Sequence, residues 1–298
     1  MVKFGVAGYP IAFDKSEYRK DRLNIFKWLS SLGLDAFEAQ MTYGPKTKED
    51  TCKEMRSIAS DYGIKISVHA SYYIVFTSSD KLKIDRSKET LKRTYELADL
   101  LGADVIVLHP GPLYGEDSGI VSDRFLNSLA SFFNDFRQDS IGLFLETAGK
   151  KGQLGSVEEV TYFSKQIKGC YPCFDFGHIH ARTVGGLGNE AQIEELFNKM
   201  INLKAFENRY HLHYTPIHYG PQGEIVHKAI DDLYPTENQL SLDLFSDNLY
   251  QGLYHPRYEA IVKCLSKINA NCTVISETHN SQEVGALAMK NYYKKIGI

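Results

Sequence analysis

The feature that most constrains the fold of this chain is a regular alternation of short apolar runs with segments of helical spacing. A parallel strand reaches its neighbour through a crossover, which is usually a helix, so the alternation predicts a parallel sheet. Eight repeats within 298 residues favour a closed barrel over an open sheet. We therefore predict a single (β/α)8 TIM-barrel domain over residues 1–298. The eight runs are VKFGVAG at 2–8, DAFEAQ at 35–40, KISVHA at 65–70, DVIVLHP at 104–110, GLFLETAG at 142–149, YPCFDFGH at 171–178, YHLHYTP at 210–216 and CTVISETH at 272–279.

The segments between these runs carry the apolar spacing and the end signals of helices. In KETLKRTYELADLLG, the apolar residues from Leu91 to Leu101 recur on one face, and Gly102 is placed to end the helix. In SVEEVTYFSKQIKG, Ser156 is a candidate N-cap with Glu159 as its capping-box partner. The spacing becomes irregular only before the last run, where a long segment extends the final crossover.

Composition predicts a globular, cytoplasmic protein. Hydrophobic residues make up 43% of the chain, which is enough for a large core. Five cysteines without regular spacing fit a reducing compartment, and the close pair Cys170 and Cys173 lacks the second pair of a structural zinc site. We predict that these two thiols pack in the core. The chain starts without the apolar region of a signal peptide and has no apolar run of membrane-spanning length, so we expect no membrane partner.

The overall charge limits how the chain could contact nucleic acid. The formal net charge is -3 and the sequence pI is about 6.4, which provides no general attraction to a phosphate backbone. Any contact with DNA would therefore depend on a local patch or on bound metal ions.

Residue types that bind metals recur at one predicted rim of the barrel. Chemistry in such barrels gathers at the C-terminal ends of the strands. Six consecutive predicted strands end in histidine, glutamate or aspartate, a donor set that suits divalent zinc or manganese. These strand-end residues are His69, His109, Glu146, Asp175, His178, His211, His213, Glu277 and His279.

This donor set is too large for one tetrahedral ion, so we predict two or three zinc ions per chain, with manganese as the alternative metal. Clustered ions support hydrolysis of phosphodiesters. A carboxylate is the side chain best suited to bridge two such ions. Glu146, in the middle of the series, is the predicted bridge and catalytic residue.

The sequence resembles the endonuclease IV family of apurinic/apyrimidinic (AP) endonucleases, within the xylose isomerase-like barrels. The stretches that carry the resemblance are SVHASYYI, VLHPG, LETAGKKGQLG, CFDFGHIHA, YHLHYTP and ISETH, between residues 67 and 279. The opening KFGVAGYP is similar to archaeal-type members, so the resemblance covers nearly the whole chain.

The resemblance implies which residues would bind each metal ion. His69 and His109 would bind one zinc, and Glu146 would bridge it to a second. That family normally completes a third site with an Asp-x-His pair, whereas this chain has Glu224 and His227, three residues apart. The residues implied for the second zinc are Asp175, His211 and Glu277, and those for the third are His178 with Glu224 and His227.

The resemblance also implies the reaction and the partner. The family hydrolyses the phosphodiester on the 5′ side of an abasic nucleotide in double-stranded DNA, and needs metal ions but no organic cofactor. Tyr72 and Tyr73 stand where members carry side chains that wedge into the DNA stack.

Two departures concern DNA contacts. The loop after the second run lacks the arginine expected there, although Lys46 and Lys48 could contact phosphate. The acidic Gly-Glu-Gly stretch that usually follows the third zinc site is replaced by LYPTENQLSLDLF.

Two other functions remain open from the sequence. Related ketose isomerases and epimerases hold one divalent ion with Glu, Asp, His and Glu, and their two glutamates act as acid and base. A non-catalytic barrel that binds metal or damaged DNA is the third possibility. The four residues that would serve the epimerase are Glu146, Asp175, His211 and Glu277, which leaves His69, His109 and His178 surplus to it.

Overall fold

The predicted barrel is present in the computed structural model, which describes residues 2–136, 138–206, 209–233, 254–268 and 271–297. Each strand pairs in parallel with the next along the chain, and the first closes onto the last. All eight predicted runs supply a barrel strand, so the fold prediction is confirmed. The strands are β1 (Lys3–Ala7), β2 (Ala36–Gln40), β3 (Lys65–His69), β4 (Val105–Leu108), β5 (Gly142–Glu146), β6 (Cys170–Asp175), β7 (His211–Tyr214) and β8 (Thr273–Ser276).

Helices surround the barrel and cover its outer face. None of the described helices is long and apolar enough to cross a membrane. Three short 3₁₀ helices, Glu17–Lys20, Arg22–Asn24 and Ile230–Leu233, accompany them. The α-helices within the described ranges are α1 (Ile11–Lys15), α2 (Ile25–Ser31), α3 (Glu49–Asp61), α4 (Lys81–Leu101), α5 (Ser118–Asp135), α6 (Val157–Gln166), α7 (Phe176–Arg182), α8 (Glu190–Asn202), α9 (Tyr258–Lys267) and α10 (Gln282–Lys295).

The predicted helix-end signals act as expected. Gly102 ends α4 with a φ of 68°, a left-handed conformation that costs glycine little. Ser156 caps α6, and both hydrogen bonds of the capping box with Glu159 are present. Within the long segment of the last crossover, residues 234–253 lie outside the described residues.

The interior of the barrel changes from apolar to polar along its axis. Val105, Val107, Phe144 and Cys173 form an apolar cluster within it. Cys170 and Cys173 are both buried and free, as predicted for core thiols. Towards the C-terminal ends of the strands the buried residues become carboxylates and imidazoles, so the fold concentrates polar groups at one end.

Two short antiparallel pairs decorate that end of the barrel. Gly111–Pro112, after β4, pairs with Gln153–Leu154, after β5. After β7, Ile217–Gly220 and Gly223–His227 form a second pair, which we call the rim hairpin.

Candidate metal centre

Glu146 lies at the centre of the polar end of the barrel. Glu146 is the last residue of β5. Its carboxylate is fully buried and is surrounded by four imidazoles. The ring nitrogens of these histidines lie 3.0–3.3 Å from its oxygens. The four are His69 at the end of β3, His109 just after β4, His178 in α7 and His213 in β7.

The donor atoms around Glu146 fall into four groups, and within each group they lie within 4.8 Å of one another. Two groups share Glu146, which is the arrangement that a bridging carboxylate requires. The groups are His69 with His109 and Glu146; Glu146 with Asp175, His213 and Glu277; His178 with Glu224 and His227; and Glu38 with His211 and His213.

The structure does not bring His211 together with Asp175 and Glu277 as expected; His213 lies in that group instead. The register explains the difference: Asp175 is paired with His213, whereas His211 is paired with Cys173, one layer deeper in the barrel. Both histidines point inward, since alternate residues of a strand share a face. The HLH spacing alone does not say which of them reaches the rim.

Glu38 in β2 is a buried part of this arrangement that the sequence analysis did not identify. Its carboxylate is fully buried and lies 2.9 Å from His211 Nε2 and 3.1 Å from His213 Nε2. The available signal was a carboxylate in the middle of the otherwise largely apolar run DAFEAQ, at an inward-facing position.

A β-bulge brings Glu224 and His227 together. Residues three apart in a regular strand face opposite sides, but the rim hairpin shifts register between its two strands, and Ile225 is the extra residue. His227 Nε2 therefore lies 3.5 Å from Glu224 and 3.3 Å from His178 Nε2. The unusual spacing thus still presents a carboxylate and an imidazole on one face.

Backbone carbonyls fix the orientation of three of the histidines. His69 Nδ1 lies 2.9 Å from the oxygen of Ala70, and His178 Nδ1 lies 3.0 Å from that of Thr147. His227 Nδ1 likewise lies 3.2 Å from the oxygen of Glu277. A carbonyl only accepts, so these nitrogens donate, and the Nε2 atoms face the donor groups. This is the usual second contact of a metal-binding histidine.

Electrostatics couples these groups strongly. Burial alone would raise the pKa of Glu146, but the neighbouring imidazoles, His109 and His213 foremost, hold it well below its usual range. Burial alone would lower the pKa of His69, but its hydrogen bond to Glu146 and that carboxylate's charge raise it to about 9. Burial dominates at His109 and lowers its pKa to about 4.

The donor set fits divalent cations. Asp175 Oδ2, in the second donor group, is buried without a hydrogen-bond partner, a costly state that points to a missing one. Among the described residues, the ion pairs of Glu38, Glu146, Asp175, Glu224 and Glu277 are all with histidines, and none is with lysine or arginine. Imidazoles and carboxylates without thiolates are the ligands of zinc or manganese.

A cleft opens from these groups to solvent. Its cavity, of about 330 Å³, is lined by His109, His178 and Glu277 together with Tyr72 and Lys150. The Tyr72 ring stacks on His109, with 5.8 Å between ring centroids, yet more than half of its surface is exposed.

The other predicted residues lie around the cleft or apart from it. Tyr73 is exposed and lines an adjoining groove of about 1010 Å³, to which Tyr72 also contributes. Lys46 and Lys48 are exposed in the loop after β2. His279 is exposed and belongs to none of the four donor groups.

Comparison with known proteins identifies similar sequences and folds. The profile of the xylose isomerase-like TIM barrel family matches residues 26–295. An uncharacterized protein of Methanocaldococcus jannaschii is 26% identical over 296 residues, which covers 98% of this chain and 97% of that protein. A probable endonuclease 4 of Mycoplasmoides gallisepticum is 34% identical over 158 residues, so the match spans about half of each, 48% in both cases.

Solved structures share the fold across nearly the whole chain. D-psicose 3-epimerase with D-tagatose, from Clostridium cellulolyticum, has a TM-score of 0.65 at 14% identity, with 99% of both chains covered. Endonuclease IV from Thermus thermophilus has a TM-score of 0.63, also at 14% identity and 99% coverage of both chains. At these identities the likeness concerns the fold alone.

Proposed function

We propose that this chain, which belongs to the xylose isomerase-like TIM barrel family, is a metal-dependent AP endonuclease. It would hydrolyse the phosphodiester on the 5′ side of an abasic nucleotide in double-stranded DNA. The observation that carries the proposal is the number of donor groups around Glu146. A one-metal isomerase needs one group, whereas this site adds His69 with His109 on one side and the His178 group on the other.

In this function three of the four donor groups, all except the one that contains Glu38, would each hold one zinc ion, or one manganese ion. His69, His109 and Glu146 form the first site, and Glu146 is shared with the second. Bound divalent ions would supply Lewis-acid stabilisation of the phosphodiester and activate water for its hydrolysis. The remaining members of the second and third sites are Asp175, His213, Glu277, His178, Glu224 and His227.

The residues around the cleft would bind and orient the DNA. Tyr72, stacked on His109, presents an exposed ring edge where it can pack against an extruded sugar, and Tyr73 extends the aromatic surface along the adjoining groove. Lys150 is an exposed cation in the lining of the cleft and can pair with phosphate. This local contact would compensate for the weakly acidic chain. The partial match to a probable endonuclease 4 supports the same assignment.

The proposal is tested with the metal-loaded protein and a duplex that carries one reduced abasic site, which cannot be cleaved by β-elimination. We expect cleavage on the 5′ side of the site, with a 3′-hydroxyl end, and no cleavage of the same duplex with an intact base. A ketohexose assay is run in parallel. An intact duplex together with an epimerised ketose would contradict the proposal.

The contribution of the two tyrosines is tested with the Tyr72→Ala/Tyr73→Ala variant. Stacking is worth about 1–3 kcal/mol per base, so binding to abasic duplex should weaken by about tenfold or more, with metal content unchanged. Tyr62→Ala is the matched control, because Tyr62 is exposed just before β3, at the opposite end of the barrel. Unchanged affinity of the double variant would remove both tyrosines from the DNA interface.

One observation favours a second candidate, a divalent-metal-dependent sugar isomerase or epimerase. Glu146, Asp175, His213 and Glu277 alone form a complete Glu-Asp-His-Glu group. Carboxylate oxygens of Glu146 and Glu277 lie 3.0 and 3.4 Å from Nδ1 of His213. The two glutamates could therefore act as acid and base on one carbon of a sugar. This function would leave the other donor groups without a role.

A further inference from the structure

We propose that Glu38 is a positioning residue for the metal centre, which acts by fixing the orientation and the tautomer of His213. The inference rests on the metal centre of the proposed function, but it does not depend on DNA being the substrate. Glu38 lies in β2, one layer below the rim, where the barrel interior is closed to solvent.

The contacts of His213 differ from those of the other histidines in one respect. His69, His178 and His227 each have Nδ1 within 2.9–3.2 Å of a backbone carbonyl oxygen, although Nδ1 of His178 also lies 3.3 Å from Glu146. The far nitrogen of His213, Nε2, instead meets the carboxylate of Glu38, at 3.1 Å from Oε1. Glu38 thus provides for His213 the kind of contact that a backbone carbonyl provides for His69, His178 and His227.

This contact selects the nitrogen that is available to a cation. Carboxylates lie against both ring nitrogens of His213, and a carboxylate only accepts a hydrogen bond. A cation bound by Glu146 and Glu277 would replace the proton on Nδ1, and Glu38 would keep the remaining proton on Nε2. Nδ1 lies 3.0 Å from Glu146 and 3.4 Å from Glu277, inside the second donor group. A carboxylate behind a metal-binding histidine both orients the ring and makes it a better ligand.

Glu38 is itself held in place by a dedicated set of donors. His211 Nε2 and Ser67 Oγ both lie 2.9 Å from its Oε2. A buried charge is costly, and an apolar side chain of similar volume would suit a barrel interior better for stability alone. The chain therefore carries three polar residues below the rim, and their common point of contact with the metal centre is His213.

The test compares two variants of Glu38 in the full chain. Glu38→Gln keeps an acceptor oxygen but removes the charge, and Glu38→Met removes the acceptor while keeping the volume. Zinc affinity, measured by competition with a chromophoric chelator without DNA, should fall by about tenfold in the first and approach about a hundredfold in the second. The matched control is Glu283→Gln, which removes a buried carboxylate of α10 outside the four donor groups and should leave zinc affinity unchanged.

A second measurement does not depend on the Glu38 variants folding. In zinc-loaded protein labelled with ¹⁵N-histidine, long-range ¹H–¹⁵N correlations should show a proton on Nε2 of His213, with Nδ1 bound to metal. The His213→Gln variant assigns the signals.

Three outcomes would overturn the positioning role. They are wild-type zinc affinity in Glu38→Met, a proton on Nδ1 of His213 in the zinc-loaded protein, and loss of one whole ion from the Glu38 variants with the remaining affinities unchanged. The last would mean that Glu38, His211 and His213 bind an ion themselves. Failure of the wild-type chain to bind zinc would instead overturn the proposed function.

Discussion

The Glu146→Gln variant is expected to remain folded and to lose cleavage of abasic duplex by about 10³-fold, which corresponds to about 4 kcal/mol of transition-state stabilisation. Glutamine has nearly the same shape, so the packing of β5 should persist. The amide is neutral and offers one acceptor oxygen, whereas the carboxylate is the shared member of two donor groups and the partner of four imidazoles. Single-turnover cleavage and metal content per chain are the measurements.

Circular dichroism and thermal unfolding establish that the Glu146→Gln protein is folded. The Glu283→Gln variant again serves as control and should cleave at the wild-type rate. An active Glu146→Gln protein with the full metal content would show that this carboxylate is not the bridge.

The Glu224→Gln/His227→Gln variant should lose one ion per chain and about 10²-fold in cleavage rate, equivalent to about 2.7 kcal/mol. The bulge at Ile225 places these two side chains against His178, and neutral amides are poor ligands for zinc in comparison. Elemental analysis and the cleavage assay are made on the same preparation.

The control for this variant is Val226→Thr, an exposed change within the same strand of the rim hairpin. It tests whether the hairpin tolerates substitution, and it should retain both metal and activity. Full metal content in the double variant would show that Glu224 and His227 do not bind a third ion. In a one-metal epimerase, by contrast, the double variant would keep its ion and its activity on ketoses.

The sequence predicts the barrel and the rim because both follow from local patterns. Eight apolar runs separated by helices specify the sheet, and the carboxyl ends of parallel strands converge at one face. His69, His109, Glu146, Asp175 and Glu277 are therefore brought together without any further information.

The structure differs from the sequence analysis where the position of a side chain depends on strand register or on its depth in the barrel. His211 and His213 share a face, and only the pairing of His213 with Asp175 shows which of them lies at the rim. Glu38 was not identified because only residues at the strand ends were considered, and Glu38 lies one layer below them. Glu224 and His227 were predicted together with His178, but they meet only because a bulge changes the facing of residues three apart, which the sequence does not clearly show.

The number and position of the ions bound by the freshly purified chain test the central claim most directly. Elemental analysis gives the number per chain, and anomalous scattering from one crystal places each ion. The account predicts two or three ions, with one on His69, His109 and Glu146 and another on the group that contains Asp175, His213 and Glu277. A single ion, held by Glu146, Asp175, His213 and Glu277 alone, would contradict the endonuclease and favour a sugar epimerase.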